Sequence, residues 1–214
     1  MNAEQKDKQK GTKLWLDWAI ELQAIAQNGL TFSNDLYDVE RYHRIREISS
    51  EIISKHSDLS IEKVKGLFCS ESGYQTPKIE TRAAIFQGEK ILMVKENDGL
   101  WSLPGGWVDV NQTIKTNTIK EVKEESGLDI KVIRIISLLD RNKYNTPIYA
   151  YNVCKVFVLC EKTGGSFQPN IETLESNYFS LNKLPPLAID KNTKEQIELC
   201  FKANKDKKWE VYFD

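Results

Sequence analysis

Residues 105–128, GGWVDVNQTIKTNTIKEVKEESGL, place a Gly-Gly turn ahead of a helical stretch that carries Glu121, Glu124 and Glu125 and ends at Gly127. At 100° per residue, Glu121 and Glu125 project about 40° apart, with Glu124 about 60° on the other side of Glu121. Three carboxylates therefore share one helix face. For stability alone the arrangement is poor. Like charges at i and i+4 repel by roughly 0.2–0.5 kcal/mol. Each carboxylate in the last turn also opposes the negative end of the helix dipole, at about 0.3–1 kcal/mol. Lys120 and Lys123 offset part of that cost. A hard divalent cation offsets more, because Mg²⁺ takes oxygen ligands and is commonly held by carboxylates together with substrate phosphates. The competing reading is a solvated acidic helix end; three glutamates on one face behind a Gly-Gly turn favour metal.

These residues resemble the signature of the Nudix family, G-x5-E-x7-R-E-U-x-E-E-x-G-U, where U is a bulky apolar residue. Gly106, Glu121, Val122, Glu124, Glu125, Gly127 and Leu128 match it at the required spacing. A chance match in a chain this long is on the order of one in 10,000 or rarer at background residue frequencies. Gln112 stands where the signature has its first glutamate, and Lys120 where it has arginine. Lysine keeps the charge without the planar two-point fork, and Gln112 cannot ionise. The segments LWLDWAIELQAIAQNGLTFSNDLYDVERYHRIREI, YQTPKIETRAAIF, LPGGWVDV and LLDRNKYN further resemble a Gram-positive bacterial Nudix subgroup. That subgroup has a helical N-terminal domain and is described as hydrolysing nucleoside diphosphates linked to another moiety. Its pattern has lysine at the Lys120 position and no glutamate at the Gln112 position, so both departures read as subgroup traits.

The resemblance implies a magnesium-dependent pyrophosphohydrolase, with Mn²⁺ as an alternative metal. Glu121, Glu125 and the main-chain carbonyl of Gly105 would bind the ion, and Glu124 would complete the cluster or polarise a water. Neutralising the diphosphate oxygens and lowering the pKa of the attacking water would yield a nucleoside monophosphate and a phosphorylated X group. The implied substrate is a small-molecule nucleoside diphosphate conjugate, with CDP-choline first and ADP-ribose second. Related pyrophosphatases often draw a general base from a late loop, which points to Glu172 and Glu175 in NIETLESNYF. Arg82, Arg141 and Lys143 are candidates for the substrate's negative charge. Arg82 falls inside an apolar strand, an expensive place for a charge without a partner. Arg141 and Lys143 follow a strand in DRNKYN, a loop position of the kind that often carries function. Each of the three could instead serve a salt bridge. Tyr74, Trp101 and Trp107 have faces able to stack on a base, but aromatics beside a glycine turn more often pack, and they stay outside the site set. Two rival readings are a non-hydrolytic Nudix ligand sensor and action on RNA ends through the lysine-rich termini. The sequence has no helix-turn-helix signature to favour the sensor.

The elements that must position these groups follow from periodicity. Leu14, Trp15, Trp18, Leu22 and Ile25 recur at three- and four-residue steps, one face of a helix. Asn28-Gly29 is expected to end that helix, and Ser33 or Asn34 to cap a second one carrying Tyr37, Arg41, Ile45, Ile48 and Ile52. Ser60 is expected to open a short third helix. His43 and His56 read as surface or cap residues. Beyond Ser72-Gly73 the period changes, predicting strands over 79–86, 90–94, 130–139, 149–160 and 177–181 and helices over 113–126 and 192–204. The expected class is α+β, a small all-helical domain over 1–72 followed by a mixed domain over 73–214, and the resemblance implies that the latter is a Nudix α/β/α sandwich. The apolar stripe at Trp15, Trp18 and Leu22 needs a partner surface, and by resemblance a homodimer is expected.

Composition narrows the alternatives. With 30 basic and 31 acidic residues in 214 the net charge is −1, which removes any global electrostatic case for nucleic-acid binding. The lysines at 6, 8, 10, 13, 205, 207 and 208 read as solvated tails. No apolar run is long enough to span a bilayer, and MNAEQKDKQKG lacks the apolar core of a signal peptide. Cys69, Cys154, Cys160 and Cys200 are scattered, which argues against a zinc site or disulfide framework. A cytoplasmic protein is expected.

Overall fold

The computed structural model describes residues 3–214, with side chains from Leu14 onward. It divides into two compact units, Met1–Thr76 and Pro77–Asp214. The lysines expected as an N-terminal tail at positions 6, 8, 10 and 13 have side chains outside the described residues.

The first unit is helical: α1 (Ala3–Phe32), α2 (Leu36–Lys55) and α3 (Ile61–Phe68). Asn28-Gly29 does not end α1, which runs on to Phe32. Gly29 is used for close approach instead, since a Cβ there would lie 2.3 Å from the ring of Tyr42 on α2. A side chain would push the two helices apart. Ser33 still donates its N–H to the carbonyl of Gly29, so it belongs to the tail of α1. The cap of α2 therefore falls to Asp35, whose carboxylate accepts from the N–H groups of Tyr37 and Asp38 at 3.0 Å each. Ser60 caps α3 as expected. The buried face of α1 also differs from the expected stripe. Ala19, Gln23, Ala26 and Gln27 are buried, whereas Leu14, Trp18 and Ile25 are exposed. The small residues let Ser49 reach the carbonyl of Ala19 at 2.8 Å. The buried amides are satisfied, Gln27 donating to the carbonyl of Gly73 at 2.9 Å. His56, at the end of α2, stacks on Trp15 with centroids 4.7 Å apart.

The second unit comprises β1 (Lys78–Gln87), β2 (Lys90–Glu96), β3 (Trp101–Ser102), α4 (Ile114–Ser126), β4 (Leu128–Asp140), α5 (Arg141–Tyr144), β5 (Val153–Gly165), β6 (Thr173–Phe179), a 3-10 turn (Leu181–Lys183), α6 (Lys194–Lys205) and β7 (Tyr212–Phe213). The strands run in the order β3-β2-β1-β5-β4-β7, and β6 pairs with β2. The sheet is mixed: β1 and β5 are parallel, while β5 and β4 are antiparallel. Successive residues of β1 and β5 turn to opposite faces, as a pleated strand requires. Ala83, Ile85, Val156 and Val158 pack with Val122 of α4. Ala84, Phe157 and Leu159 pack with Ile197, Cys200 and Phe201 of α6. One helix layer on each face gives the α/β/α sandwich that the sequence predicts. Among the described residues, no helix is long and apolar enough to cross a membrane.

Several boundaries move, β6 for one running Thr173–Phe179 rather than 177–181. DRNKYN is the short helix α5 rather than an open loop, with Asp140 accepting from the N–H of Asn142 at 2.8 Å. The strand expected from residue 149 starts only at Val153. Asn142 occupies both backbone groups of Tyr149, accepting its N–H and donating to its carbonyl at 3.0 Å each. Those groups have no need of a sheet partner.

One polar layer lies inside the sandwich. Glu80 and Arg82, two apart on β1, face the same side, and Lys155 sits directly across from Glu80 in the β1–β5 register. Arg82 lies 2.5 Å from the Glu80 carboxylate and donates to the carbonyl of Leu103 at 3.0 Å. Lys155 lies 3.5 Å from Glu80 and donates to the carbonyls of Asp190 and Lys191. Burial pushes the Lys155 ammonium down to about 7.

Candidate active site

Helix α4 is fixed at both ends. Thr113 and Thr116 form a reciprocal cap at its start, and Gly127 ends it at φ +68, a conformation that glycine adopts without strain. The last turn is held by the start of β6 and the segment before it. Asn170 donates to the carbonyl of Glu124 at 2.9 Å, and Thr173 to that of Glu125 at 2.6 Å. These bonds satisfy carbonyls that a helix end leaves without intrahelical partners.

The Gly-Gly turn lies between β1 and α4. The carbonyls of Pro104 and Gly106 accept from Ala83 and Thr81, while the N–H of Gly105 donates to Glu125 Oε2 at 2.8 Å. Gly105 has φ +146, and a Cβ there would stand 2.0 Å from the carbonyl oxygen of Thr81. At Gly106 a Cβ would stand 2.6 Å from Glu121 Oε2. Each glycine thus answers a different neighbour, the first the backbone of β1 and the second the Glu121 carboxylate.

The three glutamates of the helix face are not equivalent. Glu125 is buried, Glu121 is nearly so, and the Glu124 side chain is 51% exposed. Lys120 spans them, its ammonium 3.1 Å from Glu121, 3.0 Å from Glu124 and 3.5 Å from Asp109. The hydrogen bonds that it donates to these glutamates, Glu124 first, hold the lysine well above its usual range. Burial pushes the Glu125 carboxyl up to about 7, opposed by Arg82 and the Gly105 N–H and reinforced by the charges of Glu121 and Glu96. Glu121 is raised as well, again chiefly by burial. Among the described residues, no three acidic, histidine or cysteine side chains already stand together as a metal cage.

The other singled-out residues separate. Arg82 is buried in the polar layer with Glu80. Arg141 is buried too, donates to the carbonyl of Pro147 at 2.6 Å and stacks on the ring of Tyr149 at 3.2 Å; its Nη2 is buried with no hydrogen-bond partner. Lys143 is exposed and lies 3.7 Å from Asp214. Glu175 sits within strand β6, opposite Lys95, and accepts from its ammonium at 2.8 Å. Glu172 is exposed in the bend before that strand. Gln112 is half-buried beside the start of α4.

Sequence reasoning passed over Glu96, Lys191, Glu80 and Lys155. Glu96 closes β2, accepts from Ser102 at 3.0 Å and pairs with Lys191, and its charge acts on Arg82 and Glu125. No motif marks these residues: the Lys155–Glu80 and Lys191–Glu96 pairs each join segments far apart in the chain. A cavity of about 90 Å³ is lined by Glu80, Arg82, Gly106, Trp107, Tyr149, Asp190 and Lys191.

Comparison with known proteins gives consistent matches. A family model described as "NUDIX domain" matches residues 77–200. A second, described as "UDP-X-like, N-terminal oligomerisation domain", matches residues 13–68. The chain is 40% identical over 188 residues to a Bacillus subtilis (strain 168) protein named "Putative ADP-ribose pyrophosphatase YjhB", covering 87% of this chain and 90% of that one. Among solved structures, a UDP-X diphosphatase is 33% identical at TM-score 0.62, covering 95% of this chain and 99% of that chain. An ADP-ribose pyrophosphatase from Streptococcus suis 89-1591 is 57% identical at TM-score 0.61, covering 65% of this chain and 100% of that chain.

Proposed function

This chain belongs to the Nudix family, as a Nudix pyrophosphatase, and from that premise we propose that it hydrolyses the diphosphate bond of a nucleoside diphosphate linked to X. The substrate is of the ADP-ribose or UDP-X type, after the named relatives, with CDP-choline as a further member of the class. The products are a nucleoside monophosphate and phospho-X. The observation that carries this reading is the pair of carboxylates, Glu121 and Glu125, that α4 presses against the Gly105-Gly106 turn.

Nudix hydrolases generally use divalent metal ions, and the residues here fit one. Glu125 is a buried carboxylate next to the further negative charges of Glu121 and Glu96, an excess that a hard cation with oxygen ligands would compensate. Glu121, Glu125 and the Gly105 carbonyl would hold it, Mg²⁺ first and Mn²⁺ second, with Glu124 at the solvent side to complete the set or orient a water. When bound, the ion neutralises phosphoryl oxygens and makes a water more acidic. The chain's own residues do the rest. Gly105 N–H and Thr173 fix the last turn of α4, and Lys120 restrains Glu121 and Glu124. Arg141, with one buried donor still unmet, is the better placed of the two α5 cations for a phosphate, since Lys143 pairs with Asp214. Glu172 is the stronger candidate for the base, because Glu175 is engaged by Lys95; a base must come within hydrogen-bond reach of the water.

A panel of ADP-ribose, UDP-glucose, CDP-choline and a capped RNA oligonucleotide, incubated with and without Mg²⁺ and analysed by mass, tests the reading. Monophosphate release from a small conjugate, only with metal, is expected. Tight binding without turnover would instead support the ligand sensor.

We further infer a homodimer formed through the helical unit. The match to an oligomerisation domain supports it, as do the exposed apolar side chains Leu14, Trp18 and Ile25 along α1. Sedimentation at micromolar concentration should give twice the chain mass; a monomer would overturn this inference.

A further inference from the structure

We propose that the cavity between Trp107 and Tyr151 receives the nucleobase of the conjugate, stacked on the indole ring. The inference deepens the function proposed above and rests on it. The cavity measures about 370 Å³ and is lined by Lys78, Ile79, Trp107, Val108 and Tyr151, a volume within the usual range for small-ligand sites.

Its position follows from the backbone. Trp107 comes directly after the Gly-Gly turn that meets Glu121 and Glu125. The segment is pinned to β1 on both sides of the ring, through the bridge between Glu80 and Trp107 and the 2.9 Å bond from Val108 N–H to the carbonyl of Ile79. Trp107 also lines the smaller cavity beside Gly106, so one ring borders both spaces. A diphosphate held through a divalent cation at the carboxylates would place its nucleoside next to this residue.

The aromatic surroundings suit a flat ring. Tyr151 lies 6.4 Å from Trp107, tilted by 49°, and Tyr149 lies 5.3 Å from Tyr151. Behind them the buried Arg141 guanidinium stacks on Tyr149, which braces the row. The Lys78 ammonium stands 5.8 Å from the Tyr151 ring. Packing does not account for Trp107. Trp101, a few residues earlier, is 7% exposed and meets Phe179 edge to face, whereas Trp107 is 45% exposed. A tryptophan whose backbone is fixed and whose ring is left open at a cavity offers a stacking platform. Every base has a π-face, and such stacking contributes about tenfold or more in affinity per base.

The test is calorimetric titration of the full chain in Mg²⁺ with AMP, CMP, UMP and ribose 5-phosphate. The nucleotides should bind at least about tenfold more tightly than ribose 5-phosphate. Trp107→Ala should remove that preference while leaving ribose 5-phosphate affinity unchanged, and Trp107→Phe should retain most of it. Tyr151→Leu should weaken the preference, and it decides the matter alone if Trp107→Ala fails to fold in a thermal melt. A wild-type protein that does not distinguish nucleotide from sugar phosphate, or a preference that survives both variants, overturns the proposal. Failure of the hydrolytic reading looks different: no conjugate is cleaved in Mg²⁺, while the nucleotide preference can still be measured.

Discussion

Glu125→Gln should lower turnover of ADP-ribose in Mg²⁺ by at least about 100-fold, the scale of removing one major electrostatic contributor at a reacting centre. That factor corresponds to about 2.7 kcal/mol of barrier. Glutamine has nearly the same size, and its side-chain carbonyl can still accept from Gly105 N–H, so the turn and helix keep their contact. Only the charge goes. The metal-free protein supplies an independent readout. The Glu125 carboxyl is pushed up to about 7 from an ordinary value of 4.5, so between those values the folded chain binds a proton more tightly than the unfolded chain. Stability without metal should therefore fall as pH rises through that window, and glutamine should abolish this part of the slope. Urea unfolding from pH 4.5 to 7.5 with chelator, beside steady-state kinetics in Mg²⁺, separates lost charge from lost structure. Unchanged turnover in the variant would falsify the metal role assigned to Glu125.

Glu80→Ala should cost about 3–5 kcal/mol of folding stability, the range for breaking a buried ion pair by removing one partner. Glu80 is the shared anion of two buried cations, Arg82 at 2.5 Å and Lys155 at 3.5 Å. Arg82 is 4% exposed and Lys155 is 0% exposed, so neither cation is exposed to bulk water that would solvate its charge in place of the carboxylate. The two cations would respond differently. Lys155, already near 7, can shed its proton, whereas a guanidinium cannot, so most of the cost falls on Arg82. Adding Arg82→Met should then recover part of the loss, a coupling expected of residues in one network. The urea midpoint at constant slope measures the effect. A loss below about 1 kcal/mol would mean that the layer does not hold the β1–β5 pair together.

Local chemistry in this chain was legible without coordinates. The span of α4 and its glycine stop and the cap at Ser60 follow from period and turn residues close together in sequence. So does the Glu121–Glu125 spacing, because four residues along a helix bring side chains to one face whatever the rest of the molecule does. Contacts between distant segments were not legible. Gly29 reads as a helix stop until Tyr42 is seen against it. Arg82 looks like a stray charge in a strand until the carbonyl of Leu103 is seen to accept from it.

The same division separates the site residues. Helix geometry by itself sets which glutamates share a face, but folding decides that Glu125 is buried, Glu124 open and Glu175 taken up by Lys95. Trp101 and Trp107 are alike as sequence; packing against Phe179 buries one, and pinning to β1 leaves the other open. Periodicity encodes what a residue does relative to its near neighbours. Burial, and with it pKa and access to a ligand, depends on chain brought in from far along the sequence, and only the tertiary structure decides that.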